Sequence, residues 1–364
     1  MMSKRMEKMG FKKTDVGVIP EDWEVKHLSD LSSMKSGETI TSKSISEIEI
    51  YPCFGGNGLR GYTTRYTHDG DFALIGRQGA LCGNVQFVTN KFFASEHAVV
   101  VTPKTNIDIK WLYYMLIDMN LNQYSESSAQ PGLSVSKILN LPIPLPPTKA
   151  EQTAIAAALN DADALITQLE KLIAKKRAIK QGAMQELLKP KEGWVVKKLG
   201  EVFKVRHGKS QKEVADEKGV YPILASGGMI GRAKSFLYNK PSVLIGRKGT
   251  IDEPQFMDTP FWSVDTLFYT EIFEGYDAKF IFYMFNLIDW YSYNEASGVP
   301  SLNVKTIELI EKPFPKKQSE QTRIAQILSD MDAEIEVLEQ KLEKQKMLKQ
   351  GMMQNLLTGK IRLV

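Results

Sequence analysis

Residues that usually form disulfides and metal sites are scarce in this sequence of 364 residues. Only two cysteines occur, Cys53 and Cys82, and both lie in the first half of the chain. Cysteine at this low frequency predicts free, reduced thiols rather than a disulfide framework. Four histidines are scattered without the spacing of metal ligands: His27, His68, His97 and His207. The sequence therefore predicts no metal site.

Long apolar runs and a strong charge imbalance are also missing. No apolar run approaches the ~18 residues that a membrane span requires. The basic segment at residues 1–13 is not followed by an apolar stretch, so we expect no signal peptide and a cytoplasmic location. The net charge is only +4, whereas dedicated nucleic-acid binders are often far more basic. A nucleic-acid partner would therefore require basic residues that are segregated on one surface.

Patterns that resemble enzyme motifs fail on their surroundings. Gly56–Gly61 (GNGLRG) fits the dinucleotide pattern GxGxxG, but the residues that follow are typical of a strand and not of the required helix. Gly208–Ser210 (GKS) matches the end of a phosphate-binding P-loop, but the glycine needed five residues earlier is Phe203. No Ser-His-Asp or Cys-His arrangement can be identified. We therefore expect a protein that is non-catalytic by itself.

The most informative feature of the sequence is a long internal repeat. The segment LIGRQG at residues 74–79 returns 170 residues later as LIGRKG at residues 244–249. Other matches follow in the same order: Tyr51-Pro52 with Tyr221-Pro222, Leu133-Ser134-Val135 with Leu302-Asn303-Val304, and Glu151-Gln152-Thr153 with Glu320-Gln321-Thr322. A period of this length indicates the duplication of one unit rather than a solenoid.

Each copy has the same order of predicted elements. Short apolar runs punctuated by glycine predict short β-strands with turns, and a short helix is expected at residues 110–119 and 279–288. Proline-rich stretches follow, which we interpret as extended connectors, and a long helix closes each copy. The predicted segments are a globular domain at 1–149, a helix at 150–189, a second globular domain at 190–318, and a helix with its tail at 319–364.

Both predicted long helices carry a single apolar stripe. Its residues are separated alternately by four and three positions, which is the spacing of a coiled-coil seam. They are Ile155, Leu159, Ala162, Ile166, Leu169 and Ile173 in the first copy, and Ile324, Leu328, Met331, Ile335, Leu338 and Leu342 in the second. We expect helices at about 151–188 and 320–357, each ~57 Å long, that pair antiparallel, seam against seam. Thr148 and Glu151 resemble a capping box, and Ser319 is predicted to cap the second helix.

The repeated Leu-Ile-Gly-Arg-x-Gly segment is the best candidate for a binding site. A buried apolar pair should lead into a glycine turn that presents an arginine with a polar residue beside it. Arginine and glutamine pair bidentately with guanine and adenine edges, and glycine permits close approach to a backbone. The candidate DNA-binding residues are Arg60, Arg65, Arg77, Gln78 and Lys91 in the first copy, and Arg206, Lys209, Arg232, Lys234, Arg247 and Lys248 in the second.

Differences between the copies predict which positions distinguish bases. Positions that both copies share should serve the common fold or phosphate contacts that are neutral to sequence, and Arg77 and Arg247 are candidates for such a shared role. The candidate discriminating pairs are Gln78 and Lys248, Arg60 and Ile230, and Tyr62 and Arg232. Two similar domains related by an approximate twofold axis fit two DNA segments at a fixed spacing. Because the domains differ in sequence, the two half-sites should differ as well.

Over essentially its whole length, the chain resembles the specificity (S) subunit of type I restriction-modification systems, the HsdS family. The matching segments are Gly17-Val18-Ile19-Pro20-Glu21-Asp22-Trp23, the Leu-x-Val-x-x-Ile stretches at 133–138 and 302–307, the proline-rich runs into Glu-Gln-Thr-x-Ile-Ala, and the Lys-Gln-Gly-x-Met-Gln-x-Leu-Leu helix ends. The resemblance implies an α+β fold with two tandem target-recognition domains of short β-strands, at 1–149 and 190–318. Two long antiparallel coiled-coil helices would separate these domains in a pseudo-twofold internal repeat.

The resemblance also implies partners and cofactors. Each half would read one half-site of a bipartite, asymmetric site on double-stranded DNA. The helices would set the spacer and dock two adenine-N6 methyltransferase (M) subunits, with two ATP-dependent restriction (R) subunits as an optional addition. S-adenosylmethionine, ATP and magnesium would then belong to the partner subunits, with no cofactor in this chain and no membrane partner.

Other interpretations remain open at this point. A stand-alone nuclease or methyltransferase would require a catalytic constellation that the sequence does not offer. A coiled-coil assembly scaffold without DNA recognition would explain the helices but would leave both Gly-Arg segments without a role. A third alternative is a subunit that still assembles but reads only one half-site.

Overall fold

The computed structural model describes residues 10–79, 81–126 and 131–363. The chain divides into unit 1, which comprises residues 1–170 and 341–364, and unit 2, which comprises residues 171–340. Residues 1–9 of the basic segment at 1–13, from which we expect no signal peptide, lie outside the described residues. Within the described ranges, no helix is both long and apolar enough to cross a membrane.

Twelve strands are described in unit 1. They are β1 (Phe11–Thr14), β2 (Gly17–Pro20), β3 (Glu24–His27), β4 (Ser32–Ser36), β5 (Tyr51–Gly55), β6 (Gly58–Thr63), β7 (His68–Asp69), β8 (Phe72–Gly76), β9 (Val85–Val88), β10 (Lys91–Ala94), β11 (Ala98–Pro103) and β12 (Pro142–Leu145). One four-stranded sheet has the order β4-β11-β8-β9 and is antiparallel; the other has the order β6-β5-β10-β7, with β5 and β10 parallel.

Unit 2 repeats this arrangement with nine described strands. They are β13 (Val195–Lys198), β14 (Phe203–His207), β15 (Tyr221–Ala225), β16 (Gly228–Ala233), β17 (Ser242–Gly246), β18 (Gln255–Met257), β19 (Trp262–Ser263), β20 (Leu267–Ile272) and β21 (Glu311–Phe314). The sheet β14-β20-β17-β18 corresponds to the antiparallel sheet of unit 1, and β16-β15-β19 corresponds to the second sheet.

Seven α-helices complete the described chain. They are α1 (Leu28–Leu31), α2 (Ile109–Asp118), α3 (Val135–Leu139), α4 (Lys149–Leu187), α5 (Ala278–Phe285), α6 (Val304–Leu309) and α7 (Gln318–Leu356). Short 3-10 turns occupy Ser42–Ser44, Leu121–Tyr124, Leu199–Glu201 and Trp290–Tyr293. The prediction of a short helix before each proline-rich stretch is confirmed by α2 and α5, and the mixture of strands and helices confirms the α+β class.

The repeated Leu-Ile pairs lie in strands that are buried on both faces. In β8, Ile75 packs into the main core of unit 1 with Trp111 of α2, whereas Leu74 packs into a second cluster with Phe92 of β10. Successive side chains of a strand point to opposite faces, so a strand between two apolar layers must be apolar at consecutive positions. This is why the segment reads as a continuous apolar run rather than an alternating one.

The repeated Glu-Gln-Thr segment joins each short helix to the start of a long one. Asp108 caps α2 by accepting from the backbone N–H of Lys110 and Trp111, both at 2.9 Å. Its own N–H donates to the buried side chain of Gln152 (2.8 Å), and the hydroxyl of Thr153 donates to its carboxylate (2.8 Å). Unit 2 repeats three of these four bonds with the equivalent residues, Asp277, Gln321 and Thr322, since Asp277 accepts only from the Phe280 N–H.

The proline-rich stretches are strands rather than connectors. β12 pairs antiparallel with β3, and β21 pairs with β13. The interpretation as extended connectors missed this strand pairing of residues 142–145 and 311–314. Pro142 and Pro144 occupy alternate positions of a two-stranded ladder, where one edge of the strand has no partner that requires an N–H.

The two long helices pack antiparallel in each unit. In unit 1, Lys349 pairs with Asp163 (2.6 Å) and Lys346 pairs with Glu170 (3.4 Å), so position numbers rise along one helix as they fall along the other. In unit 2, α7 and α4 are joined by ion pairs of the same kind: Lys176 with Glu334 at 2.6 Å, Arg177 with Glu339 at 2.6 Å, and Lys180 with Asp332. The prediction of two long antiparallel helices is confirmed.

The predicted seam residues fall into two groups. Ile155 and Leu159 pack into the globular core of unit 1, and Ile324 and Leu328 pack into that of unit 2. Further along the helices, Leu169, Ile173 and Ile335 are buried outside these cores, and the remaining residues, Ala162, Ile166, Met331, Leu338 and Leu342, are half-buried. Each stripe therefore begins as part of a domain core.

The two predicted helix caps have different outcomes. The Thr148 hydroxyl accepts from the Glu151 N–H at 3.2 Å, as one half of a capping box requires. The Glu151 side chain binds Arg362 instead of closing the box. Ser319 is not a cap, because α7 already begins at Gln318 and Ser319 lies inside its first turn.

Candidate nucleic-acid interface

The first Gly-Arg-x-Gly loop, Gly76–Gly79, is fixed by backbone hydrogen bonds to two distant segments. The Arg77 N–H donates to the His97 carbonyl (2.9 Å), and the Arg77 carbonyl accepts from the Leu133 N–H (2.9 Å). The N–H of the last glycine of the loop donates to the Pro131 carbonyl (3.0 Å). A loop whose backbone groups are satisfied in this way holds its side chains in defined positions.

The second loop, Gly246–Gly249, is held in the same way. The Arg247 N–H donates to the Thr266 carbonyl (2.8 Å), and the Arg247 carbonyl accepts from the Leu302 N–H (2.9 Å). The last glycine donates to the Pro300 carbonyl (2.9 Å). The sequence duplication is therefore also a duplication of the local structure around the loop.

A β-hairpin packs against each loop. We define the hairpin tips as Gly55–Gly58, between β5 and β6, and Ala225–Gly228, between β15 and β16. A Cβ at Gly76 would lie only 2.1 Å from the Gly56 carbonyl oxygen, so the tip and the loop meet backbone to backbone. In unit 2, a Cβ at Gly249 would lie 3.3 Å from the Ser226 hydroxyl. In each unit, the loop and the hairpin tip therefore lie side by side.

The two loop arginines are half-buried and only partly used. The Arg77 guanidinium donates to the Ser36 hydroxyl (3.1 Å), and that of Arg247 donates to the Asp265 carbonyl (3.1 Å). A guanidinium has five N–H donors. With one such bond described for each arginine, donors remain to contact an anionic or base-edge acceptor, while the observed bond restrains the side chain.

The residues next to these arginines, Gln78 and Lys248, are exposed. Their backbones form isolated bridges with Gly132 and Ser301, so the side chains extend from a fixed base. The two units thus present different polar groups from equivalent places, an amide in unit 1 and an ammonium group in unit 2.

The other candidates in unit 1 have different surroundings. Arg60 is exposed on β6 and its side chain lies over Gly55, close to the loop.

Arg65 is engaged elsewhere, because it forms an ion pair with Glu38 (2.9 Å) and lies 4.7 Å from the centre of the Phe93 ring. Lys91 lies 4.7 Å from the centre of the Tyr66 ring. The structure therefore brings Arg60, Arg77 and Gln78 together.

In unit 2 the candidates are distributed more widely. Arg206 of β14 forms an ion pair with Glu271 (2.8 Å), so much of its positive charge is compensated. Three others are exposed: Lys209, Arg232 and Lys234. Lys209 follows the end of β14, and its backbone carbonyl accepts from the Trp262 indole at 2.9 Å. Arg247 and Lys248 form the part of the predicted set that lies at the loop.

With this geometry described, the relation to known proteins can be stated. A family model for the type I restriction modification DNA specificity domain matches residues 20–181 and again residues 191–346. The chain belongs to this family. The two matches contain one Gly-Arg-x-Gly loop each, so the family's specificity domain occurs twice here.

Individual proteins that are similar to this chain are type I specificity subunits. The chain is 48% identical over 148 residues to the type I restriction enzyme EcoprrI specificity subunit of Escherichia coli. The aligned region is 40% of this chain but only 37% of that protein. It is 26% identical over 411 residues to the type I restriction enzyme MjaVIII specificity subunit of Methanocaldococcus jannaschii, which covers 95% of this chain and 94% of that protein. The crystal structure of the type I restriction-modification system S subunit from M. genitalium has the same fold, with a TM-score of 0.75 and 20% identity over 92% of this chain and 96% of that one.

Two residues at this candidate interface were missed from the sequence. Gln255 of β18 donates through its side-chain amide to the carbonyls of Ala225 (2.8 Å) and Ser226 (3.4 Å), at the hairpin tip of unit 2. Gln86 of β9 occupies the equivalent position in unit 1, where its amide packs against Gly58. Glutamine recurs at the same offset as the neighbouring matches, and that recurrence is the signal that could have found the pair.

The cysteine of hairpin strand β5 has a shifted pKa. Burial raises the pKa of the Cys53 thiol, with Arg60 acting in the opposite direction, so the thiol is protonated at neutral pH and is a poor nucleophile. The described residues contain no group of three or more His, Cys, Asp or Glu side chains that could hold a metal ion. The arrangement is suited to binding through donors, amides and charge.

Proposed function

We propose that this chain is the DNA sequence-specificity subunit of a type I restriction-modification complex, and that each unit reads one half of a bipartite, asymmetric target. The observation that carries the proposal is the repetition, within two matches to a DNA specificity domain, of one rigid loop with an arginine of spare hydrogen-bonding capacity. Equivalent loops with different neighbours, Gln78 and Lys248, fit a target with two unlike halves.

We further propose that the globular domains at 1–149 and 190–318 are the target-recognition domains. The helices at 150–189 and 319–364 would set the spacer and dock two methyltransferase subunits. Exposed apolar side chains along the long helices support docking, because such residues are expected where another protein covers them: Leu172, Ile179, Val337, Met347 and Leu348. Adenine-N6 methylation and ATP-dependent cleavage would be activities of the partners, which would carry S-adenosylmethionine, ATP and magnesium.

Selection of bound sequences from a random DNA library tests this function. The full chain would be co-expressed with the methyltransferase subunit encoded beside it, and the purified complex would be used for selection. The expected result is a motif with two unlike halves and a fixed gap. If a stable complex forms but enriches no sequence, the chain is an assembly scaffold and the proposed function is wrong.

A second measurement tests the loops against the scaffold alternative. Arg77→Ala combined with Arg247→Ala should abolish or strongly weaken DNA binding while the complex still assembles, because neither side chain belongs to a hydrophobic core. Unchanged DNA binding by the double variant would show that neither loop arginine contributes to DNA binding.

A further inference from the structure

An apolar side chain occupies the same exposed place beside each hairpin tip. Leu59 in unit 1 and Met229 in unit 2 are 53% and 55% exposed, and each follows a glycine with a φ of +105°. Their recurrence at equivalent positions of two otherwise divergent hairpins indicates a shared role outside the core.

A β-bulge lies next to this side chain at the same step of both hairpins. Between Cys53 and Phe54 the pairing shifts, so that Phe54 faces Leu59 while Cys53 faces Gly61. The same shift occurs between Ile223 and Leu224 in unit 2. Regular pleating would place two consecutive residues on opposite faces, whereas a bulge redirects one of them.

The bulge leaves two neighbouring side chains exposed together in each unit. They are Leu59 with Arg60 in unit 1 and Met229 with Ile230 in unit 2. The second residue of each pair differs in chemistry between the units, and the first is apolar in both.

The hairpin tips also contact a neighbouring strand through a glutamine. Gln255 ties the tip of unit 2 to β18 through two backbone carbonyls, and a Cβ at Gly58 would lie 2.4 Å from the Gln86 amide nitrogen in unit 1. The exposed apolar residue therefore lies on a hairpin whose tip contacts both a neighbouring strand and the Gly-Arg-x-Gly loop. A two-stranded β-ribbon fits into the major groove of B-DNA, and apolar side chains there contact the thymine methyl group.

On these grounds we propose that each hairpin is a second DNA-reading element, and that Leu59 and Met229 contact the 5-methyl group of a thymine in their respective half-sites. This inference rests on the proposed function, which supplies the DNA partner. It adds an apolar, thymine-directed contact to the polar contacts of the Gly-Arg-x-Gly loops.

The test combines a change in the protein with removal of one methyl group from the DNA. Once selection has given the target, duplexes are made with deoxyuridine in place of each thymine in turn, and dissociation constants are measured for the complex by fluorescence anisotropy. At one thymine in each half-site, loss of the methyl should weaken wild-type binding about fourfold, the value expected for burying one methyl group. Leu59→Ala should abolish this response in one half-site only, and Met229→Ala in the other.

Matched controls lie at the base of the same hairpins. Ile50 and Val220 are equivalent to one another, are 75% and 70% exposed, and precede β5 and β15. Ile50→Ala and Val220→Ala should keep the full response to deoxyuridine. Because all four side chains are exposed, none of these variants should unfold the protein, which circular dichroism can verify.

Several outcomes would overturn the inference without touching the proposed function. The inference is wrong if the complex selects a bipartite motif but replacing each thymine by deoxyuridine leaves the dissociation constant unchanged. It is also wrong if the replacement weakens DNA binding equally in wild type and Leu59→Ala. A rise in 2-aminopurine fluorescence next to the contact, lost in Leu59→Ala, would show that the side chain separates stacked bases instead of touching a methyl group. Failure of selection to give any motif would instead reject the proposed function itself.

Discussion

Gly79 gives the loop a backbone conformation that favours glycine. Its φ is +87°, and a Cβ would meet nothing within 4 Å, so any cost of substitution comes from the backbone alone. Gly79→Ala should therefore lower the free energy of unfolding by about 1–2 kcal/mol, the cost of holding an L-residue in the left-handed region. Urea denaturation of the purified chain measures this change.

Gly182 provides the opposite control within the same chain. It lies inside α4, where a Cβ would meet nothing within 4 Å and the backbone is helical. Gly182→Ala should raise stability by about 0.5–1 kcal/mol, because alanine loses less conformational entropy on folding into a helix. Destabilisation of similar size in both variants would mean that backbone conformation does not distinguish the two sites.

His68 should make the stability of unit 1 depend on pH. Burial lowers the pKa of its imidazole against an opposing effect of Glu38, and its ring stacks on Phe92 with centroids 5.3 Å apart. A lowered pKa in the folded state means that the unfolded state binds the proton first as the pH falls below about 6.5. Stability should therefore decrease from pH 7.5 to pH 5.5, and His68→Gln should show a smaller decrease. Equal slopes for the two proteins would contradict this assignment.

Among the elements, the C-terminal tail has a defined structural role. Arg362 binds the carboxylate of Glu151 through two nitrogens, one of them at 2.7 Å, and also contacts Asp22 at 3.0 Å. Glu151 is only 1% exposed. Arg362→Met would leave that carboxylate buried without its cation, so we expect a loss of about 3 kcal/mol of stability.

Two further variants separate this effect from a general loss of charge. Arg177→Met removes an ion pair with Glu339 that is exposed on both sides, and should cost at most about 1 kcal/mol. Adding Glu151→Gln to Arg362→Met should recover part of the loss, because the uncompensated charge is then removed. A similar cost for Arg362→Met and Arg177→Met would show that the tail does not neutralise a buried charge.

The long helices and the short helices α2 and α5 could be predicted from sequence because their signals are local and periodic. The spacing of the apolar stripe placed α4 and α7 to within two residues of their observed starts and one residue of their ends. The strand character of the proline-rich stretches was missed, because β12 pairs with β3 more than a hundred positions away and no local pattern shows this. The Ser319 cap was wrong because α7 begins at Gln318, and the residue before it, Lys317, has no side-chain acceptor.

The candidate site was only partly predictable. The loops stood out because Leu-Ile-Gly-Arg-x-Gly occurs twice, and the prediction of a buried pair leading into a glycine turn is confirmed. Which basic residues share a surface could not be inferred, since the engagement of Arg65 by Glu38 and of Arg206 by Glu271 depends on tertiary pairing. The bulged hairpins were likewise invisible, because a shift in strand register leaves no mark in composition.

For the whole molecule, the duplication is the organising fact. Two matches to the same DNA specificity domain share a four-stranded antiparallel sheet, an aspartate cap on the short helix and the same loop–hairpin pairing, but they present different side chains at Gln78 and Lys248. A framework that is repeated while its exposed positions diverge is suited to reading two related but unequal sequences. The proposed function therefore requires that each unit determines one half of the target independently of the other.

The most direct test of this claim is sequence selection with variants confined to one loop. Complexes that contain Gln78→Ala or Lys248→Ala would be selected in parallel with wild type under the same salt concentration. The account predicts that each variant relaxes base preference in one half-site only, that the two variants affect opposite halves, and that the gap between the halves is unchanged. A variant in a single loop that altered both halves together would contradict the independent reading of half-sites, and so would a pair of variants that altered the same half.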